Sequence, residues 1–398
     1  MSVFGNAVKY LNEGNVHVVI CILNTDYVIR LIKEDGKMVK DMEIIRNSVS
    51  FVNFVMIPLL FGYYQYKEEI IKMTSEDILR LSENLINVRP KHRRVKSNFS
   101  QFAIKAPNLT IISYNCENYC LEIKPKEGFM ASNFSKYSKC YYCLKQVLKL
   151  QENEVINISG YCPLDLFSGE RKRMRKALLN LIKNPQNNFK LFKDGNIIYN
   201  ETSNVNNFDF LIRNITPYNS LNVFLDLIIE ILLGDGISDI VIKESSEEID
   251  INTNTENCYN DGHQLPANCF LNQLLTLQKL SENINLDSVT KNDDFQYVVN
   301  LLKDMKELNI NLINMDDRKK FFETIDPLYL AMISAVAKDC SIMICLSPET
   351  HELYPSITIK DKRLSYKMSV TDLEPKSIKS LAKRKTTEQK LIELYEKK

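Results

Sequence analysis

Residues 121–129 read "LEIKPKEGF", three charged residues at alternate positions of an apolar run. Strand side chains alternate between faces, so Glu122, Lys124 and Lys126 share one face and Leu121 and Ile123 take the other. Such a face is no ordinary core. Pro125 has no backbone donor, which places the piece at a sheet edge or a strand end, and Gly128 permits a sharp exit. Two lysines two residues apart repel unless an anion sits between them. Whether this is an anion site or a plain solvated face is decided by what the rest of the chain supplies.

At 398 residues the sequence suits two or three domains or one bilobed enzyme, and 44% apolar with 25% charged residues is an ordinary globular balance. Lysine plus arginine number 51 against 50 aspartate plus glutamate, so a coat of bulk charge for nucleic acid or membrane is excluded and any basic site is local. "MSVFGNAVKY" lacks the pattern of a secretory signal, which points to a cytoplasmic or nuclear protein. "FVNFVMIPLLFGYY" (51–64) and "LNVFLDLIIEILL" (221–233) fall short of a membrane span and read as buried core. Ten cysteines in such a compartment are expected as reduced thiols. Cys116, Cys120, Cys140 and Cys143 approach the spacing of a zinc ribbon. The first pair lies in a strand-like run and the second in the helical "KCYYCLKQVLKL", so convergence is not required and a structural zinc is not expected. Four scattered histidines offer no hydrolytic triad or catalytic zinc site.

Residues 16–32, "VHVVICILNTDYVIRLI", read as a hairpin entered from the small turn Glu13-Gly14-Asn15, with Arg30 as the notable charge of its second strand. Helical spacing is read over 65–88. "RPKHRRVKS" (89–97) is a local anion site or a nuclear-import signal. Ala106-Pro107-Asn108 forms a hinge between lobes, and the helix at 138–150 presents Lys145 and Lys149 one turn apart. The helix that follows Gly169 is basic, with Arg171, Lys172, Arg173, Arg175 and Lys176 left to solvent or an anion. Residues 242–266 are acidic and aperiodic, a mobile insertion. Asp339 precedes an apolar strand and Asp372 ends an alternating one. In phosphoryl transfer one aspartate orients or deprotonates the attacking hydroxyl while a second holds magnesium, and two at neighbouring strand ends suit that work; singly, each reads as a turn residue.

Taken in order, "CLEIKPKEGF", "YCPLDLFSGERKRM", "NPQNNFKLFKDGNIIY", "AKDCSIMICLSP" and "SVTDLEPK" resemble the inositol pentakisphosphate 2-kinases, from about residue 10 to the C-terminus. The resemblance implies an α+β, bilobed inositol-polyphosphate-kinase fold distantly similar to protein kinases. It divides into a smaller N-lobe with an antiparallel sheet (1–110, hinge near 106–110) and a larger α+β C-lobe (111–398). It also implies ATP-dependent phosphorylation of the 2-hydroxyl of inositol 1,3,4,5,6-pentakisphosphate, with Mg2+, by a monomer that needs no membrane and binds no nucleic acid stably. Five monoesters carry roughly −8 to −10 at neutral pH, which lysines and arginines must hold.

By the same resemblance, Arg93, Lys124, Lys126, Lys149, Asn187, Asn188, Lys190 and Lys376 would contact substrate. Glu13, Gly14, Asn15, Arg30, Asn108 and Glu122 would attend the nucleotide. Asp339 would be the base or orienter and Asp372 the magnesium ligand, with Asp339 a second candidate ligand of the metal. Three departures stand out. Tyr141 replaces the family's arginine, Lys145 its histidine, and Arg384 a tyrosine of the tail, so one anion contact is lost or moved. The zinc site of plant members is not carried over, because residues 283–330 contain no Cys or His. The alternative is a non-catalytic binder of inositol polyphosphates or RNA; the retained aspartates argue against it, since a pure polyanion binder has no use for carboxylates.

Overall fold

The computed structural model describes residues 7–34, 42–96, 98–216, 220–242, 263–282 and 294–396. Two sheets organise them. The β-branched hairpin of residues 16–32 supplies two strands of a five-stranded antiparallel sheet built from β1 (Val8–Glu13), β2 (His17–Ile22), β3 (Tyr27–Glu34), β4 (Glu69–Lys72) and β5 (Asn98–Pro107), in the order β1-β2-β3-β5-β4. Residues 65–88 are not one helix. Ile70 and Ile71 lie in β4, paired with Ile104 and Ala103 of β5, because an edge of β5 stood open to them. The helix starts only at Ser75, where Thr74 Oγ1 accepts from the Asp77 amide (3.1 Å) and Asp77 Oδ2 accepts from the Thr74 amide (3.2 Å). That reciprocal cap contributes about 1 kcal/mol.

The chain crosses to the second sheet over residues 108–118. There β6 (Tyr119–Ile123), β7 (Phe189–Lys193), β8 (Asn196–Tyr199), β9 (Ile240–Ile242), β10 (Ser341–Ser347), β11 (Ser356–Ile359) and β12 (Lys362–Thr371) take the order β8-β7-β6-β10-β12-β11-β9. Only β9 and β11 run parallel among the described residues. β6 is therefore a central strand, paired with β10 and β7. The proline of the charged run is compatible with this because it stands two residues beyond the strand's end.

One face of the larger sheet, including Leu121, Ile123, Ile342, Ile344, Leu191 and Val370, joins a single large core with the helices Leu221–Leu233, Phe270–Lys279 and Pro327–Ala337. The apolar run 51–64 enters that core too: Met42–Phe51 continues through a π-helical turn, Val52–Met56, into Ile57–Phe61. The continuous helix Met42–Phe61 is longer than the run suggested. By length and composition alone it could cross a membrane, but 61% of its apolar window is buried inside the protein. A bilobed α+β arrangement results. Residues 243–262 of the expected insertion lie outside the described residues; Gln264, just after them, donates its amide to the Ser168 carbonyl at 2.8 Å.

Candidate active site

Alternation divides the larger sheet into a core face and a working face. On the working face, register places Glu122 opposite Met343 and Lys190, Cys345 opposite Cys120 and Lys367, and Ser341 opposite Thr371. The face is graded. Near the hinge Cys120, Cys345, Met343, Phe192 and Ile112 form a small apolar cluster. Towards the other end of the same strands it becomes charged: Lys190 Nζ donates to Glu122 Oε2 at 2.7 Å, and Lys124 Nζ to Asp372 Oδ2 at 3.1 Å.

Ser341 links the two acids. Its Oγ lies 3.2 Å from both Glu122 Oε1 and Asp372 Oδ2, yet a hydroxyl has one proton and can donate to only one of them. The carboxylate left over is matched by cations alone.

The charged run leaves the sheet abruptly. The Lys124 amide still donates to the Asn188 carbonyl (2.8 Å), Pro125 then ends the pairing, and Lys126 turns with φ +58°. A left-handed non-glycine residue costs roughly 1 kcal/mol or more and needs support from its surroundings. Fully buried Gln278 provides it, donating to the carbonyls of Lys126 (2.8 Å) and Ala337 (3.1 Å) and accepting from the Gly128 amide (2.8 Å). Gly128 must be glycine here: a Cβ would meet the Phe167 ring at 2.3 Å. Lys126 consequently does not share a strand face with Glu122. Lys124 stays on the working face and reaches Asp372, while the turn sends Lys126 to Asp339, whose Oδ1 lies 3.6 Å from Lys126 Nζ and whose Oδ2 accepts from Lys376.

Burial pushes the Asp339 carboxyl upward, but Lys376, Lys126 and Lys124 outweigh it and hold the group below the usual carboxylate range. Asp372, at φ +64°, is also left-handed, so both charged strand ends are specially shaped.

Beyond Asp339 opens a basin of about 760 Å³. Eight lysines and arginines line it against four acids. Lys126, Lys149, Asn187, Asn188 and Lys376 meet here as the sequence implied, joined by Lys145. Burial and the neighbouring cations Lys149 and Arg384 lower the Lys145 ammonium, and burial does the same to Lys126. Asn188 donates its Nδ2 to the Tyr142 hydroxyl (3.1 Å) and keeps a buried carboxamide oxygen without a hydrogen-bond partner. Arg384 lays its guanidinium 3.3 Å from the centroid of the Tyr141 ring, held by Glu127 and Glu388 at 2.5 Å each. The positive charge missing at position 141 is thus returned from the tail helix Lys379–Glu396.

Other expected site residues lie apart from the basin. Glu13 is buried and bound by Lys33 and, through two bonds of 3.0 and 2.9 Å, by Arg89. Lys33 also donates to the Gly14 carbonyl (2.8 Å), so Glu13 shapes the turn from behind. Arg93 donates to Asn15 Oδ1 at 3.1 Å in that same lobe and does not line the basin. Arg30 reaches Glu68 (2.5 Å) and Glu374, two residues after Asp372, and so ties the smaller sheet to a strand end of the larger. Asn108 closes the hinge, its Oδ1 accepting from the Thr110 amide (3.0 Å) and hydroxyl (2.6 Å).

The helix Arg171–Lys183 differs from its reading as a solvated basic face. Arg171 pairs with Glu230 (2.7 Å), Arg173 with Asp165 (2.9 Å) and buried Arg175 with Asp226, because acids distant in sequence meet it in the fold. Sequence reasoning missed Gln278 and Ser341. Gln278 carries no motif signal; Ser341 lies inside "AKDCSIM" and could have been found from its place beside Asp339.

Comparison with known proteins gives the family. The family model for inositol-pentakisphosphate 2-kinase matches residues 10–390. An inositol-pentakisphosphate 2-kinase of Danio rerio is 27% identical, over 97% of this chain and 92% of the relative. One of Arabidopsis thaliana is 23% identical over 96% and 84%, and one of Drosophila melanogaster 31% identical over 30% and 24%.

Proposed function

The chain belongs to the inositol-pentakisphosphate 2-kinase family, and we propose that the basin and the strand ends beside it are where its ATP-dependent reaction occurs. The reaction transfers a phosphoryl group to the 2-hydroxyl of inositol 1,3,4,5,6-pentakisphosphate, giving the hexakisphosphate. The carrying observation is the imbalance of eight cations to four acids around an open basin with Asp339 at its edge. Lys126, Lys145, Lys149, Lys376 and Arg384 hold substrate phosphates, and each charge-assisted bond to such a group contributes about 1.5–3 kcal/mol. The nucleotide lies over the graded face, its base towards the apolar cluster at the hinge and its phosphates towards Lys190, Glu122 and Lys124.

Asp339 accepts a hydrogen bond from the attacking hydroxyl. With its carboxyl held low by three lysines it is a weak base, so its main work is to orient the oxygen and take the proton late. Asp372 and Asp339 fit a magnesium ion. Both side chains are about half exposed, at 51% and 54%, both stand at ends of neighbouring strands, and the hydroxyl between Glu122 and Asp372 cannot serve both acids. Bound there, magnesium supplies charge neutralisation on the transferring phosphoryl oxygens.

We read residues 1–110 as the lobe that covers the nucleotide and 111–398 as the lobe that holds substrate. We also read the protein as a monomer of the cytoplasm or nucleus without a membrane or nucleic-acid partner: its surplus cations are gathered inside one basin, and the cysteines among the described residues are free thiols. The test is incubation of purified protein with magnesium, ATP and inositol 1,3,4,5,6-pentakisphosphate, followed by anion exchange. Hexakisphosphate is expected, and binding of the pentakisphosphate without any product would leave only a binder.

A further inference from the structure

Lys126 and Asp339 meet at the edge of the basin, yet no strand pairing brings them there. The ladder between β6 and β10 ends at Ile123 and Ile342. Lys126 comes after that end and Asp339 before it, on segments that belong to no strand. One side chain joins the two segments where the ladder stops. Gln278, fully buried near the end of the helix Phe270–Lys279, donates one Nε2 proton to the Lys126 carbonyl (2.8 Å) and the other to the Ala337 carbonyl (3.1 Å), while its Oε1 accepts from the Gly128 amide (2.8 Å). Ala337 ends the helix Pro327–Ala337, so its carbonyl is one of those a helix leaves without an intrahelical partner, and Asp339 follows directly after that end. Two carbonyls and one amide call for two donors and one acceptor on a single neutral planar group. Only Asn and Gln carry that set, and Asn is shorter by a methylene.

The bracket is braced from behind. Lys338 Nζ donates to Ser281 Oγ (2.9 Å), the Ser281 and Ser334 hydroxyl oxygens lie 3.0 Å apart, and Ser334 Oγ donates to the Gln278 backbone carbonyl (2.6 Å). Ser334 has spent its single proton on that carbonyl, so Ser281 is the donor to Ser334. The donors run one way, from the residue beside Asp339 back to the backbone of Gln278. We propose that Gln278 is a positioning residue of the phosphoryl transfer: by tying the Lys126 turn to the helix end ahead of Asp339, it fixes the phosphate-holding ammonium against the carboxylate that orients the attacking hydroxyl.

The assignment rests on the kinase reading of the basin. Gln278 is not among the residues that line the basin and touches no ligand there; it acts through backbone groups alone. Rate and affinity therefore respond differently to its loss. A displacement of about 1 Å between reacting groups costs about 10²-fold in rate. Affinity is spread over Lys145, Lys149, Lys376 and Arg384, none of which Gln278 holds, so binding survives the same displacement.

The experiment measures kcat with saturating ATP, magnesium and inositol pentakisphosphate, and the Kd of the pentakisphosphate by calorimetry, on the full chain as wild type, Gln278→Met and Gln278→Glu, between about pH 6 and 9. Methionine fills the space without a donor, so kcat should fall about 10²-fold at every pH while Kd stays within about threefold. Glutamate keeps the shape. Protonated, it donates to one carbonyl and still accepts the Gly128 amide; ionised, it faces two carbonyls with no proton to give. Its kcat relative to wild type should therefore drop as pH rises, by up to about tenfold per unit, a dependence that glutamine cannot produce. Lys126, Glu127, Lys338 and Asp339 stand on the joined segments and are unchanged in all three proteins, so their titration cancels in the ratio. A wild type that makes no product overturns the kinase reading and this assignment with it. Where the wild type turns over, the assignment alone is overturned by wild-type kcat in Gln278→Met, by a loss of affinity as large as the loss of rate, or by a Gln278→Glu ratio that is flat across the pH range. Should Gln278→Met fail to fold, the Gln278→Glu profile decides by itself, because the protonated form reproduces two of the three bonds.

Discussion

Glu13 and Asp339 are each held by two cations, and they do opposite things. Glu13 faces Lys33 and Arg89 with side chains 1%, 2% and 2% exposed; Asp339 faces Lys126 and Lys376 at 54%, 22% and 28%. The buried triad is closed: two cations leave no room for a ligand, and its value lies in setting the β1–β2 turn. The open triad shares its cations with a basin that has too few acids. Counting salt bridges would rank the two alike. Access to solvent separates a structural ion pair from one that awaits a substrate, because only exposed cations can exchange a carboxylate for a phosphate without stranding charge.

The sharpest way to break this comparison is to neutralise each acid. Asp339→Asn should lower kcat roughly 10²- to 10⁴-fold while the thermal midpoint stays close to wild type, since orientation and proton acceptance are lost but no buried charge is stranded. A variant that unfolded instead would make Asp339 another Glu13. Glu13→Gln leaves Lys33 and Arg89 buried without their shared carboxylate and should cost about 3–5 kcal/mol in urea unfolding, while surviving folded protein binds the pentakisphosphate with unchanged affinity. Weakened binding in that variant, with stability intact, would move the N-terminal turn into the site.

This contrast also marks what was legible in the sequence. Period-two alternation identified Glu122, and the two aspartates could be placed at strand ends, because those signals are local. The nucleotide roles of Glu13 and Arg30 come from the family resemblance, which carries residue type and charge but not burial. Their partners Arg89, Glu68 and Glu374 arrive from up to 344 positions away. Alternation carried past Pro125 puts Lys126 on the face of Glu122, but a left-handed turn ends the alternation there. The basic helix was over-read for the same reason as Glu13: Asp165, Asp226 and Glu230 neutralise it only in the fold. Arg384 was visible as an oddity, yet nothing in sequence placed it on Tyr141, 243 positions earlier.

That stacked pair offers a finer test within the open region. Arg384→Ala should weaken pentakisphosphate binding about 10- to 100-fold, the equivalent of one charge-assisted contact, with kcat less affected than KM. Tyr141→Arg together with Arg384→Tyr should recover much of the loss, because the cation would then issue from the facing helix onto a ring carried by the tail helix. Failure of the exchange, with each variant folded, would mean that the grip of Glu127 and Glu388 on Arg384 matters more than its charge.

The smallest expected difference is in acid. Glu13 is pushed up by burial and pulled down further by Arg89 and Lys33, so its folded carboxyl titrates below the ordinary 4.5. A depressed folded carboxyl gives stability that is complete above the unfolded value and is lost as pH falls through the folded one, at no more than about 1.4 kcal/mol per pH unit. Asp339 is depressed as well, but water screens its half-exposed pairs and little of its stabilisation reaches the fold. Thermal midpoints measured from pH 6 downward should therefore fall less steeply below about 4.5 in Glu13→Gln than in wild type, and as steeply as wild type in Asp339→Asn. If Asp339→Asn flattened the acid limb more than Glu13→Gln did, the open triad would be the one that holds the protein together.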